Sequence, residues 1–122
     1  MATFTLLITD DAHAGLQFAK AVVAGGHQLA TVFFYADAVS TANALVPLVG
    51  GEPHLGQHWS DFAQEHGLEL AVCVAAAERR GILDDELAAE HQLPASLKAP
   101  YRQAGLGELV NATMTADRTV QW

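Results

Sequence analysis

The feature that most constrains the fold is a repeated alternation of strand-like and helix-like segments. Short runs rich in β-branched and aromatic residues occur at 3–9 (TFTLLIT), 28–35 (QLATVFFY) and 68–74 (LELAVCV), and segments with helical character follow each of them. The run at 28–35 is almost wholly apolar, as in strands that are buried on both faces. This order predicts an α/β fold, with a mainly parallel, doubly wound sheet in three layers and right-handed crossovers.

Capping and turn residues between these runs predict where the elements begin and end. Helices are predicted at 13–26, 36–46, 58–67, 75–81, 82–93 and 104–117. Asp10 and Asp11 can cap the first helix, Gly67 ends the third, and Pro47 ends the second. The Gly- and Pro-rich stretch at 47–57 is predicted to be a loop. A short last strand is predicted at 118–122, and a weak further strand is expected without a position.

Composition limits the class of protein. The length of 122 residues, about half of them apolar, predicts one folded domain over 1–122. A formal net charge of −8 makes direct nucleic-acid binding unexpected, because such binding depends on neutralising phosphates. One cysteine excludes an internal disulfide and a cysteine-cluster zinc site. No apolar run approaches the roughly 18 residues of a membrane span, and the first residues lack the basic region of a signal peptide, so we expect a cytoplasmic protein.

The single cysteine, Cys73, is the candidate catalytic residue. Ligands and chemistry in parallel α/β sheets lie outside the carboxyl ends of the strands, and Cys73 is predicted at such an end. A helix start near Ala75, together with Arg79 and Arg80, could stabilise a thiolate. The small side chains of the VAAA run at 74–77 predict room for a partner to reach the sulfur. The alternative is that Cys73 is a small buried core residue.

Other patterns carry weaker predictions. His13 follows the first strand and is the most plausible histidine to approach Cys73, although a solvated loop position is the simpler interpretation. His54 and His58 have the i, i+4 spacing of a metal pair, but Gly56 between them and Pro53 before them predict a non-helical segment without zinc.

Two further patterns resemble parts of cofactor or metal motifs but do not complete them. The glycine pairs at 50–51 and 105–107 are incomplete nucleotide motifs, so no cofactor is expected. A phospho-receiver magnesium site at Asp10 and Asp11 would need an acceptor aspartate where Cys73 stands, so helix capping is the better interpretation of the two acids.

Several segments together resemble the DsrE/TusD family of sulfurtransferase subunits. They are VCVAAAERRG around Cys73, LQFAKAVVAGGH (16–27), TVFFYADAV (31–39), TANAL (41–45) and the end GLGELVNATMTADRTVQW. The resemblance covers nearly the whole chain in order and spacing. The segment TDDAHAGLQ (9–17) is shorter than in the tRNA-thiolating members, which leaves the partners and the branch of the family open.

The resemblance implies a DsrE-like fold and a sulfur-relay function. It implies that Cys73 accepts sulfur as a persulfide from a small carrier protein and passes it on, in a heterohexamer with two smaller related subunits. The sulfur would most naturally serve 2-thiouridine synthesis at the tRNA wobble position. Two alternatives stay open: a subunit of a dissimilatory sulfur-oxidation complex, and a non-catalytic assembly subunit with a structural cysteine. Trp59 and Trp122 could be interface anchors or core residues.

Overall fold

A computed structural model describes residues 1–51 and 54–122, and its elements alternate as the sequence predicts. The order is β1 (Thr3–Ile8), α1 (Ala12–Ala24), β2 (Gln28–Phe34), a 3₁₀ helix (Ala36–Ala42), α2 (Leu55–Glu65), β3 (Leu70–Cys73), α3 (Val74–Glu78), α4 (Asp85–His91), β4 (Tyr101–Ala104), α5 (Leu106–Thr115) and β5 (Arg118–Gln121).

The strands form one five-stranded sheet in the order β4-β3-β2-β1-β5. Every neighbouring pair is parallel, which confirms the predicted parallel α/β sheet. From β1 to β4 the chain moves steadily one way across the sheet, and it then returns to the far side of β1. Because right-handed crossovers in opposite directions place their helices on opposite faces, this order puts α5 on the face opposite α1 and α2.

Side-chain contacts agree with these two faces. On one face Phe4 of β1 packs on Phe18 of α1, and Phe34 of β2 packs on Trp59 of α2. On the other face the hydroxyl of Thr5, which follows Phe4 in β1, donates a hydrogen bond to the carbonyl oxygen of Ala112 in α5. Alternate residues of a strand point to opposite faces, so these contacts show a sheet flanked by helices on both sides.

Two aspartates cap helices, and Asp11 does so as the sequence predicts. The Asp11 carboxylate accepts a hydrogen bond from the N–H of Ala14 at 2.9 Å, and the Asp84 carboxylate accepts one from the N–H of Leu87 at 2.9 Å. Gly67 follows α2 with a φ of +65°, a conformation that glycine adopts without a steric penalty. Asp11 therefore acts as a helix cap, as the sequence favoured over a metal site.

The predicted helix at 36–46 is wrong in type and length. The segment is a 3₁₀ helix that ends at Ala42, well before Pro47. The side chain of Asn43 accepts a hydrogen bond from the N–H of Leu45 at 2.9 Å, which closes a local turn in place of another helical turn. Ser and Thr within the segment also favour side-chain bonds to nearby backbone over a regular α-helix.

The predicted non-helical conformation of the HLGQH segment is also wrong. Helix α2 begins at Leu55, so His58 lies within the helix and His54 caps it. The helix packs so closely here that position 56 requires a glycine, because a Cβ would overlap the carbonyl oxygen of Thr41. In the predicted loop at 47–57, residues 54–57 thus belong to the cap and first turn of α2, and residues 52 and 53, including Pro53, lie outside the described part of the chain.

The further strand without a predicted position is β4, at one edge of the sheet. Its sequence, YRQA, has no apolar pattern, which explains why it could not be located. Tyr101 anchors it: the phenol donates a hydrogen bond to the carbonyl oxygen of Gly56 at 2.7 Å, and burial raises the pKa of Tyr101.

The two tryptophans differ in their surroundings. Trp59 is fully buried, and its indole N–H donates a hydrogen bond to the carbonyl oxygen of Ala12 at 2.9 Å. Trp59 is therefore a core residue of this chain. Trp122 is half-buried beside Phe18, and its backbone carbonyl accepts hydrogen bonds from the N–H groups of Thr9 and Asp10.

Candidate active site

Cys73 is the last residue of β3, as the sequence predicts. It lies at the carboxyl edge of the sheet, where it is in register with Ala104, the last residue of β4. Residues in register on parallel strands share a face, and Arg102, two residues before Ala104, reaches Glu108 of α5. The side chain of Cys73 is thus on the α5 face, at the edge where chemistry occurs in such sheets.

In the single chain, the Cys73 side chain is buried, whereas the sequence predicted that a partner could reach the sulfur. Cys73 is only 2% exposed and belongs to the main hydrophobic core. The small residues that follow do not leave a channel, because Ala76 and Ala77 are themselves buried. Small side chains allow a helix to pack closely against its neighbours, so here they close the space that the sequence predicted to be free.

The helix after Cys73 begins immediately. Cys73 occupies the cap position of α3, whose first residue is Val74, one position before the predicted start near Ala75. The Cys73 side chain makes no capping hydrogen bond. The first N–H groups of a helix are free to meet an anion, so the local backbone is compatible with a thiolate or a persulfide anion. With five residues, α3 has a small dipole, and the effect on the thiol is correspondingly limited.

Of the two predicted cations, Arg80 binds groups other than the thiol. The Arg80 guanidinium donates to the carboxylate of Asp37 at 2.7 Å and to the carbonyl oxygen of Ala76 at 2.8 Å. It therefore joins the end of α3 to the 3₁₀ helix. Arg79 is the exposed residue directly after α3. The contacts of Arg80 show a structural link, which sequence spacing could not distinguish from a thiolate partner.

His13, the candidate partner of Cys73, faces solvent, and the possible metal pair His54 and His58 lies at the start of α2. His13 is exposed in the first turn of α1, in agreement with the solvated alternative. His54 caps α2, and His58 is exposed on that helix. Across residues 1–51 and 54–122, no three His, Cys, Asp or Glu side chains are grouped so as to hold a metal ion.

A charged cluster on the α5 face was not predicted from the sequence. Arg102 of β4 donates to Glu108 of α5, with Nη1 at 3.0 Å from Oε1, and its Nε lies 3.3 Å from a carboxylate oxygen of Glu69. The hydrogen bond from Arg102 lowers the pKa of Glu108, and the bond to Glu108 raises the pKa of Arg102. The cluster could not be predicted without the position of β4 in the sheet, because Glu69 and Arg102 are 33 positions apart in the chain.

Two groups of large apolar side chains are exposed. Leu106, Val110 and Met114 form a stripe along α5 at i, i+4 and i+8 spacing. The second set lies in the loop after the 3₁₀ helix: Leu45, Val46, Leu48 and Val49. Exposed apolar groups of this size are typical of surfaces that bind other proteins. Among the helices of the described residues, none is long and apolar enough to cross a membrane.

Curated relatives are similar to this chain over most of its length. Sulfurtransferase TusD of Serratia proteamaculans is 45% identical over 115 residues, covering 93% of this chain and 89% of that protein. Sulfurtransferase TusD of Salmonella dublin is 44% identical over 115 residues, with 93% and 90% covered. The same-named protein of Salmonella newport is 42% identical over 123 residues, with 100% and 96% covered. This similarity classifies the chain with the sulfurtransferases.

A solved structure shows the same fold. The ychN protein of E. coli superposes with a TM-score of 0.75 over the whole of both chains, at 20% sequence identity. At that identity the likeness concerns the fold. Residues 3–122 match the DsrE/DsrF-like family. With the relatives described above, this match shows that the chain belongs to the DsrE/DsrF-like family.

Proposed function

We propose that this protein is a sulfurtransferase subunit of a sulfur relay, in which Cys73 carries sulfur as a persulfide. The observation that carries the proposal is the position of Cys73 at the carboxyl edge of a parallel sheet, in a chain similar to proteins named sulfurtransferase TusD. The chain would act as a single domain over residues 1–122. Its most direct use would be 2-thiouridine synthesis at the tRNA wobble position, in the cytoplasm.

The chemistry needs a donor persulfide and the thiolate of Cys73. The Cys73 thiolate attacks the terminal sulfur of the donor persulfide, a new S–S bond forms, and the donor cysteine leaves as a thiolate. Cys73 then holds the transferred sulfur as a persulfide anion. The next protein repeats the same attack, and Cys73 leaves as a thiolate. The free N–H groups at the start of α3 suit the anion at both stages.

The proposed partners are two smaller related subunits in a heterohexamer and small carrier proteins as sulfur donor and acceptor. Support comes from the exposed apolar side chains, which give the chain surface for protein contacts: the stripe on α5 and the loop at 45–49. The acidic balance of the chain fits a subunit that meets proteins and leaves tRNA to a separate enzyme.

Burial of the thiol favours a second candidate, a non-catalytic assembly subunit. Cys73 is 2% exposed and has the apolar surroundings of an ordinary core cysteine. In that case Cys73 would fill space, and no sulfur would pass through it. The two candidates make opposite predictions for sulfur loading.

Sulfur loading can be measured by intact mass. The protein is incubated with a cysteine desulfurase, its cysteine substrate and a small carrier, alone and in the assembled complex, and its mass is taken without reductant. The sulfurtransferase candidate predicts a gain of one sulfur atom that maps to Cys73 and disappears with reductant. Cys73→Ala should show no gain, and Asp85→Asn, an exposed change on α4, should load normally. Absence of loading in the assembled complex would support the assembly candidate.

The pathway needs a separate readout. Deletion of the gene should remove 2-thiouridine from the tRNA wobble position, and the wild-type gene should restore it while the Cys73→Ala gene should not. An unchanged 2-thiouridine content, together with loss of sulfur oxidation, would assign the subunit to a dissimilatory sulfur-oxidation complex instead.

A further inference from the structure

Tyr35 and Cys73 lie side by side at the ends of neighbouring strands. Strands β2 and β3 are in register up to the pair Phe34 and Val72, and Tyr35 and Cys73 are the next residue of each. Neighbouring strands are about 4.8 Å apart, so the two Cα atoms lie at about that spacing. On its other side Cys73 is in register with Ala104 of β4. Cys73 is thus flanked by a tyrosine and an alanine.

The side chains of Tyr35 and Cys73 share the α5 face of the sheet. Phe34 packs on Trp59 of α2, so the residue after it in an extended strand points to the opposite face. Tyr35 has this extended backbone, with a φ of −140° and a ψ of 165°. Its N–H also donates to the carbonyl oxygen of Ile8 in β1 at 2.8 Å, which continues the bonding of β2 to β1. Cys73 points to the same face by its register with β4.

The Tyr35 hydroxyl is available to a ligand. The residue is half-buried, and it packs against the core. Within residues 1–51 and 54–122 the hydroxyl has no hydrogen-bond partner, and it is not among the buried polar atoms that lack one, so it reaches solvent. The other tyrosine differs, because the hydroxyl of Tyr101 donates to the carbonyl oxygen of Gly56.

We infer that Tyr35 is a second catalytic residue of sulfur transfer, which donates a hydrogen bond from its hydroxyl to the outer sulfur of a persulfide on Cys73. This inference rests on the proposed function and adds a residue to it. The proton stays on the tyrosine oxygen throughout. The S–S bond that forms at Cys73 and the one that breaks at the donor are therefore those described above.

The lengths of the two side chains suit this role. Side chains of a strand stand roughly perpendicular to the sheet, and a phenol extends farther from the sheet than a thiol. Loading of Cys73 places the added sulfur about 2.0 Å beyond Sγ. The added atom therefore extends along the neighbouring phenol, and we expect the Tyr35 hydroxyl to meet this outer sulfur and not Sγ itself.

A hydrogen bond to the outer sulfur favours the loaded state. Before transfer the negative charge at Cys73 is on Sγ, and after transfer it is on the outer sulfur of the persulfide. A donor that reaches only the outer sulfur stabilises the product of loading, and hydrogen bonds to charged groups are stronger than those between neutral groups. The flanking Ala104 has no side-chain donor, so on these two strands the role falls to Tyr35.

The test is the equilibrium loading of Cys73 in the assembled complex, at a fixed ratio of persulfidated to free carrier, measured by intact mass without reductant. Tyr35→Phe removes the hydroxyl and keeps the ring. Tyr101→Phe is the matched control, because it makes the same change at the other tyrosine, which packs on Phe34 on the α2 face. We expect the ratio of loaded to unloaded Cys73 to fall about tenfold in Tyr35→Phe and to stay at the wild-type value in Tyr101→Phe.

An unchanged loading ratio in Tyr35→Phe would overturn this role, and so would an equal fall in Tyr101→Phe. Labelling of the unloaded thiol by a neutral maleimide separates the hydroxyl from the packing of the ring. The labelling rate should be the same in Tyr35→Phe and wild type, whereas a change as large as the change in loading would make Tyr35 a packing residue only. Failure of the proposed function is distinct, because Cys73 of the wild type would then remain unloaded in the assembled complex.

Discussion

Two helices begin at neighbouring points of the same sheet edge, and they are held very differently. Helix α3 follows Cys73 on β3, and α5 follows Ala104 on β4 after one intervening residue, Gly105. Cys73 and Ala104 are in register. Helix α3 has five residues and is linked at its far end by exposed pairs, whereas α5 has ten residues and is fixed to two strands.

One attachment of α5 is buried and the other is partly exposed. The hydroxyl of Thr5 donates to the carbonyl oxygen of Ala112 at 3.0 Å in a buried position, and Arg102 forms a two-pronged bond with Glu108. Hydrogen bonds in buried positions resist exchange with water better than exposed pairs do. The proposed sulfur-carrying residue therefore precedes the shorter helix, whose link to the 3₁₀ helix is exposed, whereas the adjacent α5 has a buried anchor.

The strongest test of this contrast is native-state amide hydrogen exchange in the two helices. We expect the amides of α3 to exchange about tenfold faster than those of α5, because α3 has five residues whereas α5 has ten residues and a buried anchor. Exchange rates of the unfolded chain are the control for intrinsic differences between the amides. Equal protection of the two helices would contradict the contrast.

The next largest effect concerns the buried anchor of α5. Thr5→Val keeps the shape of the side chain and removes its hydroxyl, so the bond to the carbonyl oxygen of Ala112 is lost. We expect the free energy of unfolding to fall by about 1 kcal/mol in urea denaturation. Thr119→Val, the same change at an exposed position of β5, is the control and should be close to neutral. No difference between the two variants would mean that Thr5 does not anchor α5.

A third prediction uses the charge pair of α5. Glu108→Gln should lower stability at neutral pH by about 0.5–1 kcal/mol, a value reduced for solvent screening because the side chain is 37% exposed. Arg102 lowers the folded-state pKa of Glu108, so its contribution is full above the unfolded value near 4.3 and is lost as pH falls through the folded pKa. The wild-type advantage should therefore vanish in acid. Glu90→Gln, the same change at an exposed position of α4, is the control and should be close to neutral in stability at neutral pH.

Local patterns were sufficient for most of the fold. The apolar runs located β1, β2 and β3, and Asp11, Asp84 and Gly67 mark helix ends as expected from their side chains and backbone freedom. Position alone also placed Cys73 at the carboxyl edge. Two predictions failed for identifiable reasons. Strand β4 could not be located because it has no periodic apolar pattern. The helix expected at 36–46 is interrupted by the bond from the N–H of Leu45 to the side chain of Asn43.

Hydrophobic periodicity and turn residues act over a few positions, so local patterns are enough to predict a parallel α/β sheet with the one cysteine at the end of a strand. The accessibility of that cysteine and the pairing of the charged side chains depend on the folded chain as a whole. Burial of Cys73, the pairing of Arg80 with Asp37 and the cluster around Arg102 all depend on residues far apart in the chain. Whether such residues meet in space is set by packing, and no local sequence pattern encodes it.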